Sequence, residues 1–294
     1  MISPKDFKIT VACPTVFNED QTINYDETGN ILDFLEKIGI KSVALLIFGG
    51  EYYRLTISEK EKIIEYLSSS TSWSGDIMVG INDNSLFAMK ELSKVSAKYD
   101  VKSLIISPPQ YIPFYQLNKK FVEKFISRAI EMLDLPVIFQ DTNIPSVYLP
   151  DIEFWGRYIQ SEKVAGFKIE GKGSLAKMKK IRSVYPNVPI YGGYLGLDII
   201  RERKVGSDGS IIGSSMPDVV YKMTLRGDAV DRSKIRAFLK FEVNHLDRFV
   251  EIEKYILKRR GVIDNYRCRE PCPHLSKILI DKLETLISGF DLQI

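Results

Sequence analysis

The chain has 294 residues, 45% hydrophobic and 27% charged, a balance that excludes a disordered polymer and leaves room for one large domain or two small ones. Its longest unbroken apolar run, 43–48, falls far short of the roughly 18–20 residues that cross a bilayer. The start Met1-Ile2-Ser3-Pro4 lacks a basic stretch followed by an apolar core, so no secretory leader or membrane partner is expected, and the expected location is the cytoplasm. A formal charge of +3, from 41 basic and 38 acidic side chains, is too small to mark a nucleic-acid partner.

In chain order, short β-branched runs alternate with helix-period segments. The predicted strands are 8–13, 42–47, 77–81, 103–107, 137–140, 164–168, 188–191 and 209–213. Between them lie helical patterns such as 58–68, opened by a Ser58-x-x-Glu61 capping box, and 86–99, where Leu86, Met89, Leu92 and Val95 form one apolar face. A doubly wound sheet is complete with fewer strands, so eight βα units in about 220 residues predict an α/β fold, a closed (β/α)8 TIM barrel over residues 1–225. From 226 to 294 the pattern becomes helical. One long helix or two shorter ones fill 231–260, ended by Gly261, and a last helix covers about 276–288. No Pro/Gly/Ser-rich linker intervenes, which makes this tail an extension packed on the barrel.

The cationic stretches 177–182 and 254–260 are interleaved with apolar residues at helical spacing and read as solvated helix faces. Three cysteines do not make a disulfide framework. Cys268, Cys272 and His274 have metal-binding chemistry, but Cys-x3-Cys-Pro-His lacks a fourth ligand at a recognised spacing and only His245 remains elsewhere, so neither a metal nor another cofactor is expected.

Barrel enzymes place their chemistry at the carboxyl ends of the strands. There the sequence offers Gly49-Gly50-Glu51, Pro108-Pro109-Gln110-Tyr111, Gln140-Asp141, Gly192-Gly193 and Gly213-Ser214-Ser215, and the sixth strand ends on Lys168. A lysine at the end of the apolar run Val164-Ala165-Gly166-Phe167 is partly stripped of water, which favours the free amine that attacks a carbonyl to form a Schiff base. A lysine snorkelling from the strand end or paired with Glu170 would look the same in sequence. Residues 166–173 match the spacing of a phosphate-binding loop, but Gly173 stands where the motif needs Ser or Thr. The glycine pairs suit backbone amides that approach an anionic ligand closely, and equally suit tight βα turns.

Taken together, Pro14-Thr15-Val16-Phe17, Gly50-Glu51 with Leu55-x-x-Ser58-x-x-Glu61, Ser107-Pro108-Pro109-Gln110-Tyr111, Leu135-Pro136-Val137-Ile138, Val164-Ala165-Gly166-Phe167-Lys168 and Gly209-Ser210-Ile211 resemble, in order and spacing, the dihydrodipicolinate synthase and N-acetylneuraminate lyase superfamily of class I aldolases. The resemblance implies a tetrameric barrel with a helical extension, so a homo-oligomer, dimer or tetramer, is expected. It implies that Lys168 captures pyruvate or another small 2-oxo acid as an imine. Gly49, Gly50, Glu51, Gln140, Glu170, Gly192, Gly193 and Ile211 would then surround that substrate.

Two departures bear on the chemistry. The family's Gly-Thr-Thr-Gly-Glu after strand 2 is here Ile47-Phe48-Gly49-Gly50-Glu51, and its catalytic Tyr after strand 5 is Gln140, whose amide cannot move protons. The Arg that dihydrodipicolinate synthase uses for its second substrate falls near Val147, so synthase activity proper is not expected. Tyr111 and Asp141 are the leading replacement proton carriers, with Glu51, Tyr52 and Glu170 behind them. The expectation is a Schiff-base lyase, aldolase or dehydratase acting on a 2-oxo acid; the alternative is a barrel that has lost turnover and serves as a 2-oxo acid binding or regulatory protein.

Overall fold

Strands β1 (Lys8–Ala12), β2 (Ser42–Leu45), β3 (Asp76–Gly80), β4 (Val101–Ile106), β5 (Val137–Asp141), β6 (Val164–Ile169), β7 (Ile190–Gly192) and β8 (Gly209–Ile212) pair in sequence order, all parallel, and β8 returns to β1 to close a barrel. This computed structural model describes residues 7–69, 71–109, 118–142, 150–222 and 232–292. Between and after the strands run helices α1 (Tyr25–Lys37), α2 (Ile57–Ser69), α3 (Leu86–Ser96), α4 (Lys119–Met132), α5 (Gly156–Gln160), α6 (Ser174–Val184), α7 (Ile199–Lys204) and α8 (Pro217–Tyr221). The (β/α)8 architecture expected from the alternation is the observed one. Among the described residues no helix is long and apolar enough to cross a membrane.

The two-residue period of a strand sorts side chains between the barrel interior and the helical layer. Ala44, Met78, Ile105, Ile138, Tyr191 and Ile211 fill the interior. Their neighbours Val43, Leu45, Val79, Leu104, Ile106 and Phe139 join the core between strands and helices. Helix starts are set by side-chain caps: Asn24 on α1, Ser85 on α3 and Asn118 on α4 each accept a hydrogen bond from the first turn. The capping box of α2 lies two residues earlier than expected. Thr56 accepts from the Glu59 amide while the Glu59 carboxylate accepts from the Thr56 amide, which leaves Ser58 inside the first turn.

The tail contains two helices in place of one long one, α9 (Arg232–Asn244) and α10 (Phe249–Arg259), followed by α11 (Lys277–Ile287) with Ser276 as its cap. Ile235, Phe238, Leu239, Ile252, Ile256 and Leu283 of these helices share one contiguous core with the outer faces of the strands. The tail is therefore built onto the barrel.

Charge reinforces that attachment and corrects the reading of 254–260 as a solvated face. Lys254 is fully buried, with its Nζ 2.5 Å from Oε1 of the equally buried Glu51 and 3.2 Å from the Arg267 carbonyl. Arg260 is also buried, donating to Asp218 at 2.9 Å and to the Ser215 carbonyl at 3.0 Å. Each cation can leave water because an acid from the barrel, Glu51 after β2 or Asp218 of α8, meets it. Glu51 also receives Arg54 at 2.8 Å and the Arg269 amide at 3.2 Å. Glu51→Gln, which strands a buried ammonium, is expected to lower the unfolding free energy by about 3–5 kcal/mol in urea titrations. Lys254→Met should cost less, because Arg54 still neutralises Glu51.

Candidate active site

Inward parity on β6 turns Lys168 toward the barrel axis, while Phe167 and Ile169 face outward, Phe167 packing edge-on against Trp155 at 5.3 Å between ring centroids. Lys168 opens into a cavity of about 480 Å³ above the strand ends, walled by Phe48, Gly49, Tyr53, Tyr194, Leu195 and Ile211 and closed by Leu246 and Phe249 from the tail. Glu170, two residues on and so on the same side of the chain, accepts from Lys168 Nζ at 3.0 Å. The register places Gln140 of β5 directly opposite Lys168, and its Nε2 donates to the same Glu170 oxygen at 2.7 Å.

The second Glu170 oxygen accepts the Tyr194 amide at 2.9 Å. Presenting that N–H costs backbone strain: Tyr194 (φ 54°) and Leu195 (φ 59°) are successive non-glycine residues in the left-handed region, followed by Gly196 at φ 90°. Burial alone would raise the Glu170 carboxyl, but the Lys168 ammonium, the Tyr194 amide and the Gln140 amide outweigh it and hold the group below its ordinary value. Glu170 is thus a carboxylate at neutral pH, fixed by three donors and touching the lysine's proton.

The structure gathers Lys168, Glu170, Gly49 and Ile211 on one cavity wall. Other candidates fall elsewhere. Asp141 has the opposite parity from Gln140; it points out of the barrel, where Lys177 Nζ meets both its oxygens at 2.9 Å. Gln140 is fully buried behind Glu170 and is absent from the cavity wall, so it acts on the site through that carboxylate. Glu51 turns away into the ion cluster with Lys254. The Gly50 amide closes a turn on the Ile47 carbonyl at 2.8 Å, and its own carbonyl accepts from Thr15 at 2.8 Å, so this amide is not offered to a ligand.

Gly192 and Gly193 have a different reason to be glycine. A Cβ on Gly192 would lie 1.8 Å from a Glu202 oxygen, and one on Gly193 would lie 2.2 Å from a Glu170 oxygen. The pair makes room for two carboxylates, and the Gly193 amide goes to Glu202 at 3.4 Å. Tyr111 lies outside the described residues.

Apart from Ile211, sequence reasoning missed the cavity's aromatic and aliphatic walls. Tyr194 directly follows the inspected Gly192-Gly193 and Tyr53 lies two residues beyond Glu51, next to Tyr52, so attention to aromatic residues there would have found them. Leu246 and Phe249 carry no local signal, because the tail meets the cavity only in the folded chain.

A closed eight-stranded barrel with a buried lysine at the end of its sixth strand, facing a cavity at the strand mouths, defines a lysine-centred (β/α)8 site. Residues 6–289 match the Dihydrodipicolinate synthetase family, and the chain belongs to it. It is 21% identical over 292 residues to N-acetylneuraminate lyase 2 of Escherichia coli O6:H1, covering 96% of this chain and 93% of that protein. It is also 21% identical over 286 residues to L-2-keto-3-deoxyarabonate dehydratase of Azospirillum brasilense, covering 93% and 91%. The dihydrodipicolinate synthase of Rhodopseudomonas palustris superposes with a TM-score of 0.86 at 21% identity, over 98% of this chain and 99% of that one, a likeness of fold.

Beneath the glycine pair, burial pushes the Glu202 carboxyl up to about 8, against the weaker pull of the Gly193 amide, so it is a neutral acid at neutral pH. The unfolded chain releases this proton near the ordinary carboxylate value, whereas the folded chain keeps it until about 8. Stability should therefore be full in acid and fall as pH rises across that window, by up to about 1.4 kcal/mol per pH unit. Glu202→Gln, which mimics the protonated acid, is expected to flatten this slope in urea unfolding measured between about pH 5 and about pH 8.

Proposed function

We propose that the protein is a lysine-imine lyase, acting by aldol cleavage or dehydration on a 2-oxo acid with an apolar substituent. The observation that carries this reading is the contact between Lys168 and the three-donor-bound Glu170 at the cavity wall. The carboxylate takes a proton from the ammonium, and the freed amine attacks the substrate's C2 carbonyl, whose electron pair moves to oxygen. Glu170 returns the proton to that oxygen, removes the second proton from nitrogen and passes it to the departing hydroxyl, so that water leaves and the imine remains.

In aldol cleavage Glu170 then accepts the proton of the C4 hydroxyl as the C3–C4 electron pair flows into the imine. Protonation of the resulting enamine at C3 and hydrolysis release the product and restore Lys168. In dehydration the same carboxylate takes a C3 proton and delivers it to the leaving C4 hydroxyl. Gln140, at the position where the family resemblance implies a catalytic Tyr, cannot move protons; its amide instead steadies the carboxylate that can. Glu170 is thus the proposed proton carrier, and Asp141 is not.

Gly49, on the cavity wall beside Phe48, is the proposed backbone contact for the substrate carboxylate. Phe48, Tyr53, Leu195, Leu246 and Phe249 present carbon to the rest of the substrate, which favours an alkyl or aryl group over a polyhydroxylated chain.

Borohydride reduction in the presence of pyruvate and alkyl- or aryl-substituted 2-oxo acids is expected to leave a mass increment on Lys168, and none in Lys168→Ala. No adduct with any acid, in folded protein, would instead favour a barrel that binds 2-oxo acids without turnover. Glu170→Gln is expected to lower kcat by about 10²–10⁴-fold, with single-turnover trapping of the imine slowed in parallel.

A further inference from the structure

Away from the lysine, a second cavity of about 650 Å³ separates the loop carrying Phe17, Asn18 and Gln21 from the tail segment carrying Asn265, Cys268 and His274. At its edge Glu251 of α10 and Cys272 and His274 of the segment leading into α11 bring one ligand atom each within 4.8 Å of one another. We propose that Glu251, Cys272 and His274 bind a borderline-soft divalent transition-metal ion of the zinc type, with a fourth position open to solvent.

The donor set supports that class of ion. A thiolate and an imidazole favour zinc and its neighbours over magnesium or calcium, and three protein ligands with one open position is a common zinc arrangement. The charges close as well: a carboxylate, a thiolate and a neutral imidazole balance a divalent cation.

The Glu251 carboxylate is buried and receives Arg267 Nη1 at 2.7 Å and the Leu275 amide at 3.0 Å. Arg267 is half-exposed, with 46% of its side chain accessible, so an arriving cation can displace it into water. The Leu275 amide holds the other oxygen and fixes the carboxylate's orientation.

The supporting contacts resemble those around metal-bound histidines. Glu270 Oε1 accepts from His274 Nε2 at 2.5 Å, which leaves Nδ1 facing Glu251 Oε1 at 3.4 Å. A carboxylate on the far nitrogen fixes the ring's tautomer and orientation and strengthens it as a ligand. Glu270 Oε2 also accepts the Cys272 amide at 2.8 Å, so a single side chain sets both Cys272 and His274. Cys268 is buried nearby and lies outside the three-atom cluster. Sequence spacing could not reveal the site, because its third ligand arrives from the preceding helix.

The test uses the full chain, stripped of metal by dialysis and titrated with zinc against a chromophoric chelator, and separately with cobalt(II). One equivalent of zinc per chain is expected, and cobalt should develop a thiolate-to-metal charge-transfer band. Cys272→Ser should abolish the band, and His274→Ala should weaken zinc binding by at least about 10-fold; both side chains are accessible, so both variants should fold. Glu270→Gln, which removes no ligand, should weaken zinc by about 10–100-fold. No saturable binding, or a charge-transfer band that survives in Cys272→Ser and disappears in Cys268→Ser, would overturn the assignment.

Discussion

The carboxylate of Glu170 organises the mouth of the barrel. Lys168, Gln140 and the Tyr194 amide all donate to it, and each comes from a different strand or from the turn after one. A buried anion with a single partner would shed its charge by taking up a proton, whereas one with three donors keeps it. The charge in turn holds the left-handed turn at Tyr194 and Leu195, a conformation that costs of order 1–3 kcal/mol per residue and persists only where the surroundings enforce it. Gly193 serves the same carboxylate by leaving space for it.

A second buried anion, Glu51, does comparable work between barrel and tail. It follows immediately on the Gly49-Gly50 turn at the cavity wall, adopts the left-handed conformation itself (φ 55°), and accepts Lys254 from α10 and Arg54 from its own loop. Parity and local backbone geometry thus send two acids from opposite sides of the barrel, one beyond β2 and one beyond β6, to different tasks, Glu51 into the joint with the tail and Glu170 into the cavity.

The barrel was legible in the chain because strand and helix periods alternate without interruption, and closure follows from the number of units. Lys168 was legible because a cation ending an apolar strand violates its surroundings. The choice between Gln140 and Asp141 was not, since adjacent strand residues face opposite sides and only the pairing of Gln140 with Lys168 fixes which one looks inward. The burial of Lys254 and Arg260 was hidden for a related reason: helical spacing shows which face a cation occupies, but the acids that allow it to leave water, Glu51 after β2 and Asp218 in α8, are distant in sequence. The glycine pair at the end of β7 read equally as an anion cradle or a tight turn, and its actual role was hidden because the side chains crowding it, Glu170 and Glu202, are not its sequence neighbours.

The cavity is assembled from parts with different tolerance for change. Lys168 and Glu170 sit at the end of a strand in a closed wall, where neither neighbouring strand can shift alone, whereas Leu246 lies in the connection between α9 and α10 and Phe249 is the first residue of α10. Substitutions at this junction of the two helices can enlarge or narrow the space above the lysine while the reacting groups keep their distances. The two ends of a substrate are then under separate evolutionary control, which lets a lineage trade one substituent for another without rebuilding the chemistry.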